Sequence, residues 1–386
     1  MSWKHLFARS LDAAPGRLHM AAHSHHLWPD ASLTGQQECW HDAARLADRK
    51  WHRIMGEVWP EAQAHVAAEL GGGAASDIVF AGNTHDLLIR LATACPRGAG
   101  GPLRVLTSSG EFHSARRQLA RWVESGEAVV TIVDAYPSAD FSERFAAAAR
   151  RSEHDLIMVS HVLFGSGLIV DTAPVAALGR PEGPWVAVDG YHSFMAIPAP
   201  FTQPGTSFFL GGGYKYAMAG EGVAFMHCPP GFGPRPPVTG WYAEFDELGL
   251  KPGQVGYARD AMRFMGATFD ASGLYRFNAI QRMLAAEALT TATISAHVAA
   301  LQRQLIDGLA GSALGNADLI NPLEGAVHAR FLALRAPRAA DWCAALMKED
   351  VVTDVRGDVL RVGLGLYHDA DDVDRFVTIA RTLTAA

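Results

Sequence analysis

One lysine of the chain stands in an apolar, glycine-rich stretch. The sequence Gly-Gly-Gly-Tyr-Lys-Tyr-Ala-Met-Ala-Gly-Glu-Gly occupies residues 211–222, and its lysine is Lys215. Burial lowers the pKa of a lysine toward that of the neutral amine, which is a nucleophile. The stretch therefore indicates a lysine with covalent chemistry, although a single lysine after glycines is more often a solvated loop charge.

Further polar and aromatic residues stand where apolar runs of the sequence end. Asp189 closes the run Trp-Val-Ala-Val-Asp, and His192 follows soon after it. Asn83 and Thr84 come directly after a second run, and Phe112 comes after a third. Because ligands of open α/β sheets bind at the carboxyl ends of the strands, we expect these side chains to meet at one rim.

These residue types are the ones that pyridoxal 5′-phosphate requires. Its aldehyde needs a lysine amine for a Schiff base, which Lys215 can supply. Its pyridinium nitrogen needs a buried carboxylate such as Asp189, and its phosphate favours a helix N-terminus with polar donors such as Asn83 and Thr84. Each residue alone is commonly a cap or a turn residue, so the combination carries the hypothesis.

The elements that would position these residues alternate along the chain. From residue 77 to about residue 190, short apolar runs alternate with helical stretches, which is typical of an α/β layer with a mostly parallel sheet. Two long helical stretches, 272–290 and 292–310, then precede short strands and a final helix at 371–384. This change of pattern indicates a smaller C-terminal α+β domain.

We divide the chain into three parts on these grounds. Residues 1–45 form an N-terminal segment, residues 46–265 a large cofactor-binding α/β domain, and residues 266–386 a small α+β domain. Residues 31–70 are predicted to be helical, with an interruption near Pro60.

The composition excludes several classes of protein. With 386 residues, 49% of them hydrophobic, and a net charge of −7, the chain can bury a large interior and carries no basic stripe for nucleic acid. We find no signal-like segment and no apolar run that could span a bilayer, so we expect a cytoplasmic protein without a membrane partner. The four cysteines are widely spaced, as in a reducing compartment.

Several segments resemble the class V aminotransferase superfamily of fold type I pyridoxal phosphate enzymes, and in particular its kynureninase branch. The lysine segment is similar to that family's Ser-Tyr-Lys-Tyr motif, and residues 188–194 are similar to its Asp-x-x-His-Ser motif. Residues 160–171, 239–245 and 360–376 are similar to its His-Val, Gly-Trp and closing Arg-to-Tyr segments. The resemblance implies a sheet of the seven-stranded type and a smaller C-terminal domain.

The resemblance also implies roles on the cofactor side of the site. Lys215 would hold the cofactor and move protons, and Asp189 would bind the pyridine nitrogen. Thr84 and Tyr214 would hold the phosphate, and Phe112 would stack on the ring. The full set of implied cofactor contacts within one subunit is Asn83, Thr84, Phe112, Asp189, His192, Tyr214 and Lys215.

Other implied roles concern the substrate and a second subunit. Arg361 would clamp the α-carboxylate of an amino-acid substrate with two parallel hydrogen bonds. Trp241 and Thr268 would reach the phosphate region from the partner subunit of a homodimer. The sequence His-Ser-His-His at residues 23–26 corresponds to a family segment that lines the active site.

The histidines of residues 23–26 could alternatively bind a metal ion. No carboxylate or cysteine stands in register to complete the ligand set, so we expect no metal. We favour a loop that faces the substrate, with Ser24 and His25 as contacts. A histidine there could serve as an acid, a base or a shape-determining group.

Arg361 lies in the apolar run Val-Leu-Arg-Val-Gly, where its permanent charge needs a partner. Asp358 is three residues away and therefore points to the opposite side of an extended strand. We expect no acidic residue beside Arg361, so that an incoming carboxylate supplies the partner. The alternative is a structural salt bridge to an Asp or Glu that is distant in sequence.

The departures from the family pattern concern the substrate side. The family's Asn-Tyr pair is Leu163-Phe164 here, and the aspartate of its Phe-Pro-Thr-Asp stretch is Ala115. The implied function is kynureninase-like hydrolytic cleavage of an amino-acid side chain. The alternative is transamination of a small amino acid.

Two other functions are disfavoured. A cysteine desulfurase would carry a cysteine just before the closing arginine, but residues 351–361 contain none, and Cys343 lies upstream on a predicted helix. A nucleotide-binding protein without catalysis would need a Gly-x-Gly-x-x-Gly turn, and the glycine clusters at 71–73 and 211–213 do not form one.

Overall fold

A computed structural model describes residues 2–151, 153–198, 200–247, 253–323 and 327–384. Its α-helices are α1 Ala8–Asp12, α2 Asp30–Leu46, α3 Lys50–Arg53, α4 Trp59–Leu70, α5 Thr84–Ala94, α6 His113–Glu124, α7 Phe141–Ala149, α8 Ala173–Ala176, α9 Ser272–Ala286, α10 Thr291–Leu309, α11 Ala339–Lys348 and α12 Ala370–Ala380. Its strands are β1 Leu18–His19, β2 Ile78–Ala81, β3 Leu103–Ser108, β4 Ala128–Val133, β5 Leu156–Ser160, β6 Trp185–Asp189, β7 Phe208–Gly212, β8 Ala224–His227, β9 Asp318–Leu319, β10 Phe331–Arg335, β11 Val351–Val352, β12 Asp354–Arg356 and β13 Val359–Gly363.

The large sheet has seven strands in the order β2-β8-β7-β6-β5-β3-β4. The strands from β7 to β4 run parallel, and β8 is antiparallel to both of its neighbours. β5 and β6 are continuous apolar runs because helices cover both faces of a parallel sheet. The prediction of a mostly parallel sheet in an α/β fold with a C-terminal domain is confirmed. The carboxyl ends of the parallel strands therefore meet at one rim.

The second sheet is antiparallel, with the order β12-β13-β10-β9. Its hydrophobic face packs against α10, α11 and α12 in a core separate from that of the large sheet. In the pairing of β12 with β13, Asp354 lies directly opposite Arg361. Side chains of directly opposite residues share a face of the sheet and lie close together.

The N-terminal segment is attached to the strands of the C-terminal region. β1 pairs in parallel with β11, and Ala21 forms a bridge with Gly363 at the end of β13. Further along, α2 packs on α9, and both contact the core of the large sheet. The division of the chain at residues 45 and 265 stays a prediction, although α9 packs with the elements that precede that boundary.

The helix predicted over residues 31–70 is broken at Ala47, which has a φ of 50°. The interruption predicted near Pro60 is present as a π-helical turn over Ile54–Val58, which separates α3 from α4, and Pro60 lies in the first turn of α4. The hydrogen-bond pattern of such a turn already departs from that of an α-helix, so a residue without an N–H is tolerated next to it.

Among the residues described, no single helix is long and apolar enough to cross a membrane. α9 and α10 reach the required length and composition only together, and they are bent by 79°. The cytoplasmic location stays a prediction.

Candidate active site

Lys215 lies in the loop after β7 and is almost fully buried. Its Nζ lies 2.6 Å from Nε2 of His192 and donates a hydrogen bond to it. The rings of Tyr191, Phe112 and Tyr214 surround the amine, with centroids 4.9, 5.7 and 5.8 Å from Nζ. Burial lowers the pKa of Lys215 to about 7 and holds that of His192 well below its usual range. The lysine therefore reaches its nucleophilic form near neutral pH.

The glycines before the lysine leave room for the rings around it. A Cβ at Gly212 would lie 2.4 Å from Oη of Tyr191, and one at Gly213 would lie 2.4 Å from Cγ1 of Val223. Either side chain would push its neighbour away, since real Cβ atoms do not approach other atoms so closely. Gly212 thus lets Tyr191 pack against the backbone near Lys215, and Gly213 admits Val223.

Asp189 ends β6, as the sequence predicts, and faces the same rim. Its Oδ1 accepts a hydrogen bond of 2.9 Å from the backbone N–H of Tyr191. Burial raises the pKa of Asp189, while this hydrogen bond and the charge of Lys215 oppose the rise. A partly buried carboxyl group in this position is suited to pair with a protonated pyridine nitrogen.

Another carboxyl group, that of Glu111, is fully buried in the loop after β3. Ser108 Oγ donates a 2.5 Å hydrogen bond to it, and the backbone N–H and the hydroxyl of Ser160 donate two more. Burial, with a smaller contribution from the charge of Asp189, raises the pKa of Glu111 to about 7, although the hydrogen bonds from Ser108 and Ser160 oppose the rise. Sequence reasoning missed this residue, although its position after a strand of the sheet was a usable signal.

A cavity of about 1540 Å³ opens at the rim, next to the N-terminus of α5. Asn83 caps this helix by accepting a hydrogen bond of 2.9 Å from the N–H of Asp86, and Thr84 is the first helical residue. A helix N-terminus attracts anions through its free N–H groups. The predicted residues that line the cavity are Asn83, Thr84, Phe112 and Tyr214.

The expectation that no acidic residue lies beside Arg361 is wrong. Asp354 Oδ2 lies 2.7 Å from Nη2 of Arg361, and both side chains are buried. Nη1 of the same guanidinium donates to the backbone carbonyl of Phe164. The antiparallel register of β12 and β13 places the carboxylate opposite the arginine, and this register is not evident from the spacing of residues in the sequence.

The loop at residues 23–26 divides into an outer and an inner part. His25 is exposed, and its ring stacks on that of Tyr214 with centroids 5.0 Å apart. Its Nε2 lies 3.6 Å from Oε1 of Glu221. Ser24 and His25 border a second cavity, of about 280 Å³, rather than the cavity at the rim. Their predicted contact with a substrate stays a prediction.

His23, which sequence reasoning did not select, is fully buried. Its ring stacks on Phe331, and a Cβ at Gly363 would lie only 2.1 Å from its Nδ1. Neither ring nitrogen has a hydrogen-bond partner within the described part of the chain. Burial and the nearby charges of Arg361 and Lys215 hold its pKa well below the usual range, so it is a neutral imidazole.

Trp241 and Thr268 lie next to each other. Nε1 of Trp241 donates a hydrogen bond of 3.3 Å to Thr268 Oγ1, and the indole is 43% exposed. Neither residue lines the cavity at the rim. Their role toward the partner subunit of a homodimer stays a prediction.

The residues of the rim fit pyridoxal phosphate. The hydroxyl of Thr107 and Nδ1 of His192 are buried without a hydrogen-bond partner among the described residues, as expected for groups that adjoin a polar ligand. Lys215 would hold the aldehyde, Asp189 the pyridine nitrogen and the N-terminus of α5 the phosphate. The donor set thus supplies a partner for each end of the cofactor.

Comparison with known proteins relates the chain to kynureninases. A family model of the kynureninase C-terminal domain matches residues 294–380. Kynureninases of Geobacillus thermodenitrificans and Bacillus thuringiensis are 24% identical over 45% and 25% identical over 59% of this chain. Isopenicillin N epimerase of Streptomyces clavuligerus is 33% identical over 22% of the chain. These alignments span 42%, 54% and 22% of the relatives' own lengths.

Solved structures match along almost the whole chain. A cysteine desulfurase from Thermococcus onnurineus has a TM-score of 0.79 at 16% identity, with 99% of this chain and 98% of that chain covered. A cystine C-S lyase has a TM-score of 0.79 at 14% identity, with 96% and 99% covered. At such identities the likeness concerns the fold. With the match of residues 294–380 to the kynureninase model and the geometry of the rim, it supports the class V aminotransferase superfamily, its kynureninase-like branch and its cofactor, pyridoxal 5′-phosphate.

Proposed function

We propose that this class V enzyme acts on an amino acid and cleaves its side chain hydrolytically, as kynureninases do. The observation that carries the proposal is Lys215, a buried amine with a lowered pKa that donates to His192 at the end of the sheet that also presents Asp189. The match of residues 294–380 to the kynureninase family model supports the choice of reaction.

The residues of the chain divide the work at this site. Bound pyridoxal phosphate supplies an electron sink for bonds at the α-carbon of an amino acid. Asp189 keeps a proton on the pyridine nitrogen, because a buried carboxylate there favours the charged ring. Lys215 would hold the cofactor, and its amine would carry a proton to or from the substrate. His192 accepts a hydrogen bond from Nζ and so orients it.

The walls of the site favour a flat, apolar substrate side chain. Phe164 packs edge-on against both Phe112 and His113, with centroids 5.4 and 5.1 Å away. Tyr214 and His25 form a stacked pair beside them. Aromatic rings prefer such edge-on and stacked neighbours, so an aryl group would find partners of both kinds. This is the reason to keep L-kynurenine as the first substrate to test, despite the loss of polar groups at Leu163 and Phe164.

The test has two stages, so that the cofactor and the reaction are judged separately. Borohydride treatment of the purified holoenzyme, followed by peptide mapping, is expected to place the reduced cofactor on Lys215. A label on another lysine would remove the basis of the proposal.

L-Kynurenine is then added to the holoenzyme. Hydrolysis between its β- and γ-carbons consumes one water and yields 2-aminobenzoate and L-alanine in equal amounts, both of which can be quantified by chromatography. Formation of a 2-oxo acid with conversion of the cofactor to its amine form would instead support transamination. Release of sulfide from L-cysteine would point to a desulfurase. Either result contradicts the hydrolytic assignment.

A further inference from the structure

One wall of the cavity at the rim is formed by α6, and this wall carries three arginines. The helix begins directly after Phe112, whose ring centroid lies 5.7 Å from Nζ of Lys215. Arg116, Arg117 and Arg121 line the same cavity as the N-terminus of α5. At a rise of about 1.5 Å per residue, the row they form extends about 12 Å from the start of the helix. The row therefore leads from the outer part of the cavity toward the rim.

These three arginines have no carboxylate partner in the part of the chain that the structure describes. Their side chains are exposed, and no ion pair joins them to a described residue. Arginines elsewhere on the surface are commonly paired, as Arg144 is with Asp140 and Arg282 is with Glu61. The charges of the row are therefore available to a ligand.

Two carboxylates border the same cavity, but they are fewer than the arginines and stand apart from the row. Glu221 lies 3.6 Å from Nε2 of His25, and Glu124 is the last residue of α6, at the end farthest from the rim. The chain as a whole has a net charge of −7. Because a cleft focuses the field of the charges that line it, an anion is attracted along α6 although the whole molecule is negative.

The cofactor is an anion that suits this row. A phosphate monoester carries about 1.5 to 2 negative charges near neutral pH. The N-terminus of α5, where we place the phosphate, borders the same cavity. The cavity of about 1540 Å³ also exceeds the roughly 300–1,000 Å³ that is usual for a small-molecule site, so room remains beside α6 for the cofactor to pass.

We propose that Arg116, Arg117 and Arg121 form an electrostatic entry path, which attracts the phosphate of pyridoxal 5′-phosphate and guides it to the N-terminus of α5. The path acts on the approaching cofactor, because the bound phosphate would lie at α5. It therefore raises the association rate constant and leaves the dissociation rate constant unchanged. Electrostatic steering of this kind raises association rates about 10- to 1,000-fold and weakens steeply with ionic strength. The proposal concerns how the cofactor is loaded and does not depend on which reaction follows.

The experiment follows cofactor binding to the cofactor-free protein by stopped-flow quenching of tryptophan fluorescence. Pyridoxal 5′-phosphate is compared with pyridoxal, which lacks the phosphate. In the triple variant Arg116→Gln, Arg117→Gln, Arg121→Gln, the association rate constant of the phosphate form should fall about fivefold or more at about 0.01 M ionic strength. At about 1 M, where the Debye length is about 3 Å, variant and wild type should agree. The association rate constant of pyridoxal and the dissociation rate constant of the phosphate form should stay unchanged.

A second triple variant is the matched control. Arg150→Gln, Arg180→Gln, Arg303→Gln removes the same charge from exposed positions that border neither of the two cavities. Its association rate constant for pyridoxal 5′-phosphate should remain close to that of the wild type. A fall equal to that of the α6 variant would show that net charge, and not the row, governs association.

Other outcomes overturn the proposal as well. An unchanged association rate constant in the α6 variant would mean that the row does not steer the cofactor. An equal fall for pyridoxal would mean that the arginines act through the shape of the cavity, and faster dissociation of the phosphate form would place them against the bound cofactor. A changed oligomeric state in sedimentation would assign the row to a contact between subunits. Failure to cleave L-kynurenine alters none of these rate constants, so the two proposals fail separately.

Discussion

The two halves of the candidate site hold their polar groups in opposite ways. At the rim of the large sheet, Lys215 and His192 are buried, and no carboxylate of the described residues is hydrogen-bonded to either. In the small antiparallel sheet, Arg361 is buried with Asp354 directly against it. At the rim, the lowered pKa values of Lys215 and His192 keep these side chains close to neutral. In the small sheet, the charge of Arg361 is balanced by the ion pair with Asp354.

The difference follows from sheet geometry and from the chemistry of the two cations. In the parallel sheet the polar groups of the site stand at the strand ends and in the loops that follow, and a lysine that is buried there can lose its proton. Antiparallel strands place residues opposite each other along their length, and an arginine cannot be neutralised by deprotonation. Buried Arg361 keeps its charge and pairs with Asp354, whereas buried Lys215 can lose its proton.

The largest effect is expected from Asp189→Asn at the rim. An amide cannot keep the pyridine nitrogen protonated, so turnover should fall about 10³-fold, or about 4 kcal/mol in barrier, while the cofactor still binds. Asp134→Asn is the matched control, because Asp134 follows β4 at the same edge of the sheet but is bonded to Ser109 on the surface. Turnover near that of the wild type in Asp189→Asn would show that the rim does not work as a cofactor site.

A second test of the rim concerns the pH dependence of stability of the cofactor-free protein. The folded-state pKa of Glu111 is raised to about 7 from 4.5, so the folded protein binds more protons than the unfolded chain between these values. The contribution of Glu111 to stability is therefore complete below pH 4.5 and is lost as the pH rises through 7. The total loss is about 3 kcal/mol.

Glu111→Gln imitates the protonated group and should remove this part of the pH dependence. The free energy of unfolding of wild type and variant is measured with urea at pH 5 and at pH 7.5, and the difference between the two proteins is compared at the two pH values. Glu124→Gln, at an exposed position, serves as the control. Identical pH profiles of wild type and Glu111→Gln would mean that the Glu111 carboxyl titrates normally.

The smallest effect is expected from Arg361→Lys in the ion-paired half. A lysine keeps the charge but loses the planar fork, so amino-acid affinity should fall by about 2 kcal/mol. Because Asp354 contacts the same guanidinium, the melting temperature should fall as well. Cofactor absorbance and a thermal melt measure the two changes. A fall in melting temperature with unchanged affinity would assign Arg361 a structural role only.

The sequence predicts the rim better than it predicts the small domain, for physical reasons. Strand ends can be located from apolar runs, and the rule that parallel strands end at one edge then brings Asn83, Asp189 and Lys215 together. Asp354 was not predicted because only the register of β12 and β13 places it opposite Arg361. The burial of His23 beside an exposed His25 depends on the contact with Gly363, which no local pattern encodes.

The pairing of β1 with β11 has a consequence for how the protein is made. Residues 18–26 leave the ribosome early, but the strand that holds them begins at Val351, so most of the chain must be synthesised before they find their partner. Contacts this distant in sequence form late and slowly, since a long loop must close first. The wall that carries His23 and His25 would then be the last part of the active site to assemble. Nascent chains that stop short of residue 351 would leave that wall without its partner strand, and chaperones could bind the exposed segment.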